Sequence, residues 1–369
     1  MQFNINREKI FHILKQVSGV VDKKKINPIC SCVLLSVSDN LISASATDQS
    51  MELQLTEQID NVVTPGSVAI PFRQLFDICK VLPNNSDLNF KLLGLDFVIT
   101  SNASKFVLKS FAASEFPDVQ QLIKQDVVAS LLLERVDFFH LLDKTVFAMA
   151  EQDVRFYFNG LLFEVVDKTF VTVAADGHRL AKNSLKLEQD VNPCRVIIPR
   201  KTIFEVMRLI PKECGEIGIS ISKRHVQFSC GNLLLTSGLV EGKFPNYNSV
   251  IPNRGTSVVL ASREKLKEAL QRASALFYEK FKGVKLRIAD NNLKILGINS
   301  DQDKVEEDLD VEYVGETLEV GFNIAYLMDF LTAVQSDKIK LTFTSSSHSV
   351  LIQDVNNPNV SYVLMPVRM

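Results

Sequence analysis

The 369-residue chain has no excess of charge of either sign: 41 basic residues stand against 43 acidic ones, a formal net charge of -2. That excludes a general attraction to polyanions, so any nucleic-acid role has to come from charge segregated onto one surface. Six cysteines, Cys30, Cys32, Cys79, Cys194, Cys214 and Cys230, form no Cys-x-x-Cys pair and have no companion histidine spacing. No zinc site is expected from that spacing, and small buried thiols in a reducing compartment are expected. The five histidines, His12, His140, His178, His225 and His348, are too scattered to suggest a metal cluster, and no metal or cofactor is expected. No apolar stretch approaches the roughly 20 residues of a membrane span. The opening Met1-Gln2-Phe3-Asn4-Ile5-Asn6-Arg7 also lacks the basic-then-apolar run of a signal peptide, so a cytoplasmic protein without membrane contact is expected. There is no Gly-x-Ser-x-Gly elbow, and the nearest match to a phosphate loop, Gly238-Leu239-Val240-Glu241-Gly242-Lys243-Phe244, is one residue short and lacks the Ser or Thr after lysine.

What is present is a repeat. A hydrophobic fraction of 46% and a charged fraction of 23% suit packed domains, and the length allows two or three of them. Ile5-Asn6-Arg7-Glu8-Lys9-Ile10 recurs as Leu133-Glu134-Arg135-Val136-Asp137-Phe138 and as Ala261-Ser262-Arg263-Glu264-Lys265-Leu266, with the arginines 128 residues apart in both intervals. Each copy opens an amphipathic helix, with stripes at Ile10, Leu14, Val17 and Val21, at Phe139, Leu142, Val146 and Met149, and at Leu266, Ala269, Leu270, Ala273 and Phe277. Period-two strands follow, as in Val33, Leu35 and Val37 or Met51-Glu52-Leu53-Gln54-Leu55. A second helix starts at Phe72-Arg73-Gln74-Leu75, Pro199-Arg200-Lys201-Thr202 and Phe322-Asn323-Ile324-Ala325, and the units close on Phe116-Pro117, Phe244-Pro245 and Met365-Pro366. The pattern predicts an α+β protein of three tandem domains, 1–128, 129–253 and 254–369, each a duplicated helix-plus-strands half, rather than a solenoid of much shorter units.

Cations gather on the helices: Arg7, Lys9 and Lys15; Arg73 and Lys80; Arg135 and Lys144; Arg200, Lys201 and Arg208; Arg263, Lys265, Lys267 and Arg272. On one helix such a bias is an ordinary solvated face, but five of six helices share it, and acids collect instead in segments such as Asp301 to Asp310. Basic side chains on a smooth helical surface contact phosphates and not base edges, which gives salt-sensitive binding without sequence preference.

One stretch invites a catalytic reading: Thr172-Val173-Ala174-Ala175-Asp176-Gly177-His178-Arg179-Leu180 puts an acid, a histidine and an arginine within four residues. A hydrolase using Asp176 and His178 is therefore one alternative. Against it, a histidine after Asp-Gly is more often a turn residue, and the place of this turn recurs at Ala46-Thr47-Asp48 and Ile298-Asn299-Ser300. A monomeric, non-encircling DNA-binding protein is a second alternative.

Taken with Gln152-Asp153-Val154-Arg155-Phe156-Tyr157-Phe158-Asn159-Gly160, Pro199-Arg200-Lys201 and the ending Met365-Pro366-Val367-Arg368-Met369, the chain resembles the bacterial DNA polymerase sliding clamps, the beta subunits of the DNA polymerase III holoenzyme, along essentially its whole length. The resemblance implies a non-catalytic processivity factor: a head-to-tail homodimeric ring with helices lining the hole, duplex DNA threaded through it, and replication partners tethered outside. It implies DNA-facing positions at Lys24, Arg73, Gln152, Phe156 and Tyr157, with Arg200 and Lys201 as neighbours. Lys24 stands where arginine is usual and Phe156 where tyrosine is usual.

It further implies an apolar groove formed by Phe158, Ala175, Gly177, His178, Arg179, Leu180, Pro245, Val250, Tyr326, Ser349, Val363, Leu364, Met365, Pro366, Val367, Arg368 and Met369. That groove takes a short Gln-containing, Leu/Phe-ended peptide from the replicative polymerase catalytic subunit, the clamp loader, other polymerases and repair proteins. Ala175 and Ser249 depart from the common threonine and arginine, so peptide preference is expected to differ. The subunit contact implied is Phe106 and Leu108 against Ala275 and Leu276, the alternative for Phe106 and Leu108 being an ordinary place in a strand core.

Overall fold

A computed structural model describes residues 1–22, 27–119, 123, 126–252, 255, 257–278 and 282–368. Six α-helices lie among the described residues: α1 (Arg7–Val17), α2 (Phe72–Val81), α3 (Arg135–Asp143), α4 (Arg200–Leu209), α5 (Arg263–Ser274) and α6 (Ile324–Ala333). Each starts where the repeat predicts. Asn6 caps α1 by accepting from the Glu8 amide at 3.0 Å, and Asn323 caps α6 by accepting from the Ala325 amide at 2.9 Å. Three- and four-residue spacing turns Ile10, Ile13, Leu14 and Val17 of α1, and Leu266, Ala269, Leu270 and Ala273 of α5, into the core. Full burial of a large aliphatic side chain contributes about 1.5–3 kcal/mol.

The third helix is shorter than expected. It stops at Asp143 and buries Phe138, Leu141 and Leu142; of the expected stripe Leu142, Val146 and Met149 are buried, the last two beyond the helix end, while Phe139 is half-buried. Thr145 leaves the helical region at φ -131°, and its hydroxyl donates to the Leu141 carbonyl at 2.8 Å. Val146–Ala148 then forms a separate 3-10 turn.

The chain divides into two compact units. The first, Met1–Arg135 with Lys201–Leu239, holds two antiparallel sheets. One has five strands in the order Asn61–Thr64, Gln2–Asn6, Asp87–Leu93, Asp96–Ser101, Ser104–Lys109. The other has nine and runs from the first repeat into the second where Met51–Gln58 pairs with Leu233–Gly238, Leu53 opposite Leu235. That ladder is why Lys201–Leu239 belongs to this unit. The second unit, Val136–Arg200 with Val240–Met369, also has a nine-stranded sheet, joined where Arg179–Lys186 pairs with Ser361–Leu364. Its four-stranded sheet has the order Lys304–Asp310, Asn292–Ile298, Gly283–Ala289, Leu318–Asn323. Among the described residues no helix is long and apolar enough to cross a membrane.

Two sequence readings are corrected. Cys214 and Cys230 are not thiols: they are joined in a disulfide, because the ladder that sets Gly218 opposite Ser229 brings the residues just beyond its end together. Cys30, Cys32 and Cys79 are buried thiols as expected, and burial pushes Cys32 up to about 11 and Cys79 up to about 12. The helix cations are also not all surface charge. Arg7 donates from Nε to the Cys79 carbonyl at 2.6 Å and from Nη2 to the Lys80 carbonyl at 2.8 Å, at the end of α2. Arg263 does the same for α6, reaching the Ser336 and Leu331 carbonyls at 3.0 and 3.1 Å. Lys144, buried, donates to the Ala333 carbonyl, and burial pulls its ammonium below the usual range. The last carbonyls of a helix have no intrahelical donor and carry partial negative charge, so these cations fasten helix ends.

Candidate functional site

The stretch that reads as catalytic folds as a hairpin turn. Thr169–Ala175 pairs with Arg179–Lys186, setting Ala175 opposite Leu180. Asp176 closes the turn: its Oδ1 accepts from the His178 and Arg179 amides at 2.9 and 3.0 Å, and its Oδ2 accepts from Arg179 Nε at 3.0 Å. With both oxygens committed, Asp176 is not placed as a base for His178, and the His178 ring instead stacks on Tyr326, centroids 6.3 Å apart and planes at 19°. The same turn forms in the first repeat, where Asp48 Oδ1 accepts from the Ser50 and Met51 amides at 3.0 and 2.9 Å. In the third repeat the closing side chain is Asn299, which accepts from the Asp301 and Asp303 amides at 3.0 and 2.9 Å, one residue earlier than Ser300.

Arg179 is half of what holds the turn in place. Its side chain, 10% exposed, bonds Asp176 and Asp329, donates to the Phe147 carbonyl at 2.7 Å, and lies 4.4 Å from the centre of the Tyr326 ring. Burial opposes its charge, but Tyr362 and Asp329 outweigh that and raise its pKa. The other half is Arg155, which donates to the Asp176 carbonyl at 3.0 Å and packs 4.7 Å over Phe158. Gly177 has φ +89°, and a Cβ there would meet the Arg155 guanidinium at 2.6 Å, so a side chain is strained by the backbone and would displace Arg155.

Beside this turn opens a small apolar cleft, lined by Phe158, Ala175, Gly177, Arg179, Leu180, Phe244, Pro245, Asn246, Tyr247, Val250, Val363 and Met365. Register explains the juxtaposition: Leu180 lies opposite Val363 and Arg179 opposite Leu364, while the Met365 amide donates to the His178 carbonyl at 2.9 Å. The outer wall is braced from behind. Tyr247 donates to Glu164 at 2.5 Å, and Arg195 pairs with Glu164 at 3.2 Å while donating to the Phe244 and Pro245 carbonyls at 3.2 and 3.1 Å. Burial and Glu164 push the Tyr247 phenol upward.

Of the groove residues expected from the sequence, nine line this cleft. Ser349 and Pro366 line an adjoining depression that shares Val250 and Met365 with it, together with Ser249 and His348. Val367 donates its amide to Gly321 at 2.9 Å, and Arg368 is exposed. Leu364 is fully buried and does not line the cleft, because strand alternation gives Val363 and Met365 to it instead. Met369 lies outside the described residues, as does Lys24. Phe244, Asn246 and Tyr247 escaped the sequence reading, although the recurring Phe-Pro pair marked the spot.

The remaining expected residues are distributed as follows. Arg73 is 87% exposed on α2, with Asp77 3.8 Å away. Arg200 donates to the Met149 carbonyl at 3.0 Å, and Lys201 bonds Asp48 at 2.5 Å. Gln152 is exposed at φ +57°, Phe156 is 72% exposed, and Tyr157 packs edge-on against Phe158 at 4.7 Å. Phe106 and Leu108 are half-buried on Ser104–Lys109, an edge strand; Ala275 is exposed and Leu276 half-buried just after α5.

Family models for the DNA polymerase III beta subunit match the chain three times in order: the N-terminal domain over residues 1–120, the central domain over 133–246 and the C-terminal domain over 248–368. The chain belongs to the DNA polymerase III beta subunit family. Among this family's members, the beta sliding clamp of Pseudomonas putida is 38% identical and that of Escherichia coli 36% identical, each alignment covering all of both chains. The crystal structure of the DNA polymerase sliding clamp from Pseudomonas aeruginosa superposes with a TM-score of 0.94 at 36% identity over the full length of both. The beta-subunit fold is thus present as three clamp domains of α+β type.

Proposed function

We propose that the protein is a non-catalytic processivity clamp, a homodimeric ring that encircles duplex DNA and slides without sequence preference in the cytoplasm. Its domains are 1–128, 129–253 and 254–369, as the repeats divide the chain. The observation that carries the reading is the preformed apolar cleft beside the Asp176 turn, with few polar groups to orient an occupant and a wall braced by Glu164 and Arg195. Such a cleft suits the apolar end of a short peptide and offers no chemistry. It tethers the replicative polymerase catalytic subunit, the clamp loader, and other polymerases and repair proteins that carry the peptide. Arg73, Gln152, Phe156, Tyr157, Arg200 and Lys201, with Lys24, face the DNA.

Two sheet edges support the subunit contact. Ser104–Lys109 ends the five-stranded sheet and carries Lys105 and Lys109 around Phe106 and Leu108; Lys304–Asp310 ends the four-stranded sheet and carries Glu306, Glu307, Asp308 and Asp310. Edges of opposite charge pair head to tail with each other and not with themselves. Sedimentation at micromolar concentration should give a dimer. The decisive test is topological: loaded on circular duplex DNA, the protein stays through a salt wash and leaves once the circle is cut. Equal retention on linear DNA with free ends overturns the proposal.

A further inference from the structure

Residues 152–158 form one short segment with two outlets. On one side Gln152, Val154 and Phe156 stand in solvent, Val154 at 86% and Phe156 at 72% exposure. On the other, Phe158 is buried in the wall of the cleft, packed edge-on against Phe244 at 5.9 Å. Nothing between them is slack. The Asp153 backbone amide donates to Asn159 Oδ1 at 2.9 Å and Asn159 Nδ2 donates back to the Asp153 carbonyl at 2.8 Å, which closes the segment on itself. The Asp153 carboxylate accepts from the Arg155 amide at 2.8 Å, from its Nε at 2.9 Å and from its Nη2 at 2.8 Å. The guanidinium so oriented bonds the Asp176 carbonyl, lies over Phe158 and occupies the space left open by Gly177.

We infer that Arg155 is a positioning residue that couples the two outlets, so that DNA held against Phe156 tightens peptide binding at Phe158, and the reverse. The inference rests on the clamp reading above and adds a regulation to it. The bonds of Asp153, Arg155 and Asn159 fasten the backbone of this short segment, so a shift of the backbone at Phe156 is passed to Arg155 and Phe158 on either side of it. A ligand that fixes the segment from either side relieves the other ligand of the ordering it requires, and the two effects are equal by linkage. A ring on DNA then holds its partners more firmly than a ring free in solution.

The experiment uses the full-length protein, a fluorescent Gln-containing peptide ending in Leu-Phe, and a short blunt duplex. Peptide affinity is measured with and without saturating duplex for the wild type, Arg155→Lys, Arg155→Ala and Asp153→Asn, with thermal unfolding as a check on each variant. The duplex should tighten peptide binding by about fivefold in the wild type. In Arg155→Ala and Asp153→Asn the ratio should fall to one while each ligand still binds alone; Arg155→Lys, which keeps the charge but not the fork, should recover part of the ratio. A merely structural arginine lowers both affinities and leaves the ratio intact, which overturns the coupling. So does a wild-type affinity that the duplex leaves unchanged or weakens. Should Arg155→Ala fail to fold, the Asp153→Asn ratio decides in the same way. If either peptide or duplex fails to bind the wild type at all, the clamp reading fails first and the coupling with it.

Discussion

The turns at Asp48 and Asp176 share a backbone and differ in what surrounds them. In both, an aspartate accepts from the amides two and three residues on, and the residue after it has positive φ, Gln49 at +72° and Gly177 at +89°. At the first turn that position has room for a side chain, and Gln49 Nε2 reaches Cys30 Sγ at 3.6 Å. At the second a side chain would have to displace Arg155, whose guanidinium lies where the Cβ would be. Asp48 is tied to Lys201, whose side chain is half exposed, whereas Asp176 is tied to Arg179, which is nearly enclosed. Repetition therefore supplies the scaffold, and of these two copies the arginines crowd the second.

The largest expected effect follows from that difference in enclosure. Arg179→Ala leaves the nearly enclosed Asp176 without its partner, beside a buried gap, and should destabilise the protein by about 3 kcal/mol in denaturant unfolding. Lys201→Ala, at the solvated counterpart, should cost at most about 1 kcal/mol. Equal losses would remove the distinction between the two turns. Next comes the wall that only the second turn possesses. Deleting residues 365–369 removes Met365 from the cleft and should weaken peptide binding by about 2 kcal/mol in calorimetry, with unchanged affinity rejecting the groove assignment. Gly177→Ala should weaken the same binding by about 1–2 kcal/mol, since an L-residue strains at this φ and its Cβ displaces Arg155. Gln49→Ala, which keeps the same kind of backbone, should change stability by less than about 0.5 kcal/mol.

How much of this was legible beforehand varies with the kind of interaction. The helices and strands follow periodicity: α5 buries Leu266, Ala269, Leu270 and Ala273 of its predicted stripe, and Phe277, three residues past the helix end, is buried as well. The truncation of α3 was hidden, since it depends on a threonine hydroxyl finding a carbonyl one turn back. Arg7 and Arg263 looked like surface charge because one chain position does not reveal that a second helix ends beside it; Cys79 is 72 residues from Arg7. The groove was legible only through resemblance: its walls come from segments near 158, 175, 244 and 363, and no spacing rule joins them. Phe244 and Tyr247 were missed for that reason, and Leu364 was included because a contiguous ending was carried over without its alternation.

The smallest effect tests the electrostatics of the loop that gives the second turn its character. Asp153 accepts the side-chain and backbone bonds of Arg155, which hold its carboxyl down to about 2. An aspartate in an unfolded chain titrates near 3.9. Because the folded value is the lower one, this carboxylate's contribution is fully present above about pH 4 and is lost only as the pH falls through about 2. Asp48 is also lowered, but differently: burial pushes it up, and Lys201 with the Ser50 and Met51 bonds overcomes that push. Carboxyl-detected NMR should therefore place the Asp153 midpoint near 2 in the wild type and move it toward 3.9 in Arg155→Ala, leaving Asp48 where it was. An Asp153 midpoint near 4 in the wild type would show that the fork is not formed in solution, and the contrast between the two turns would then rest on Arg179 alone.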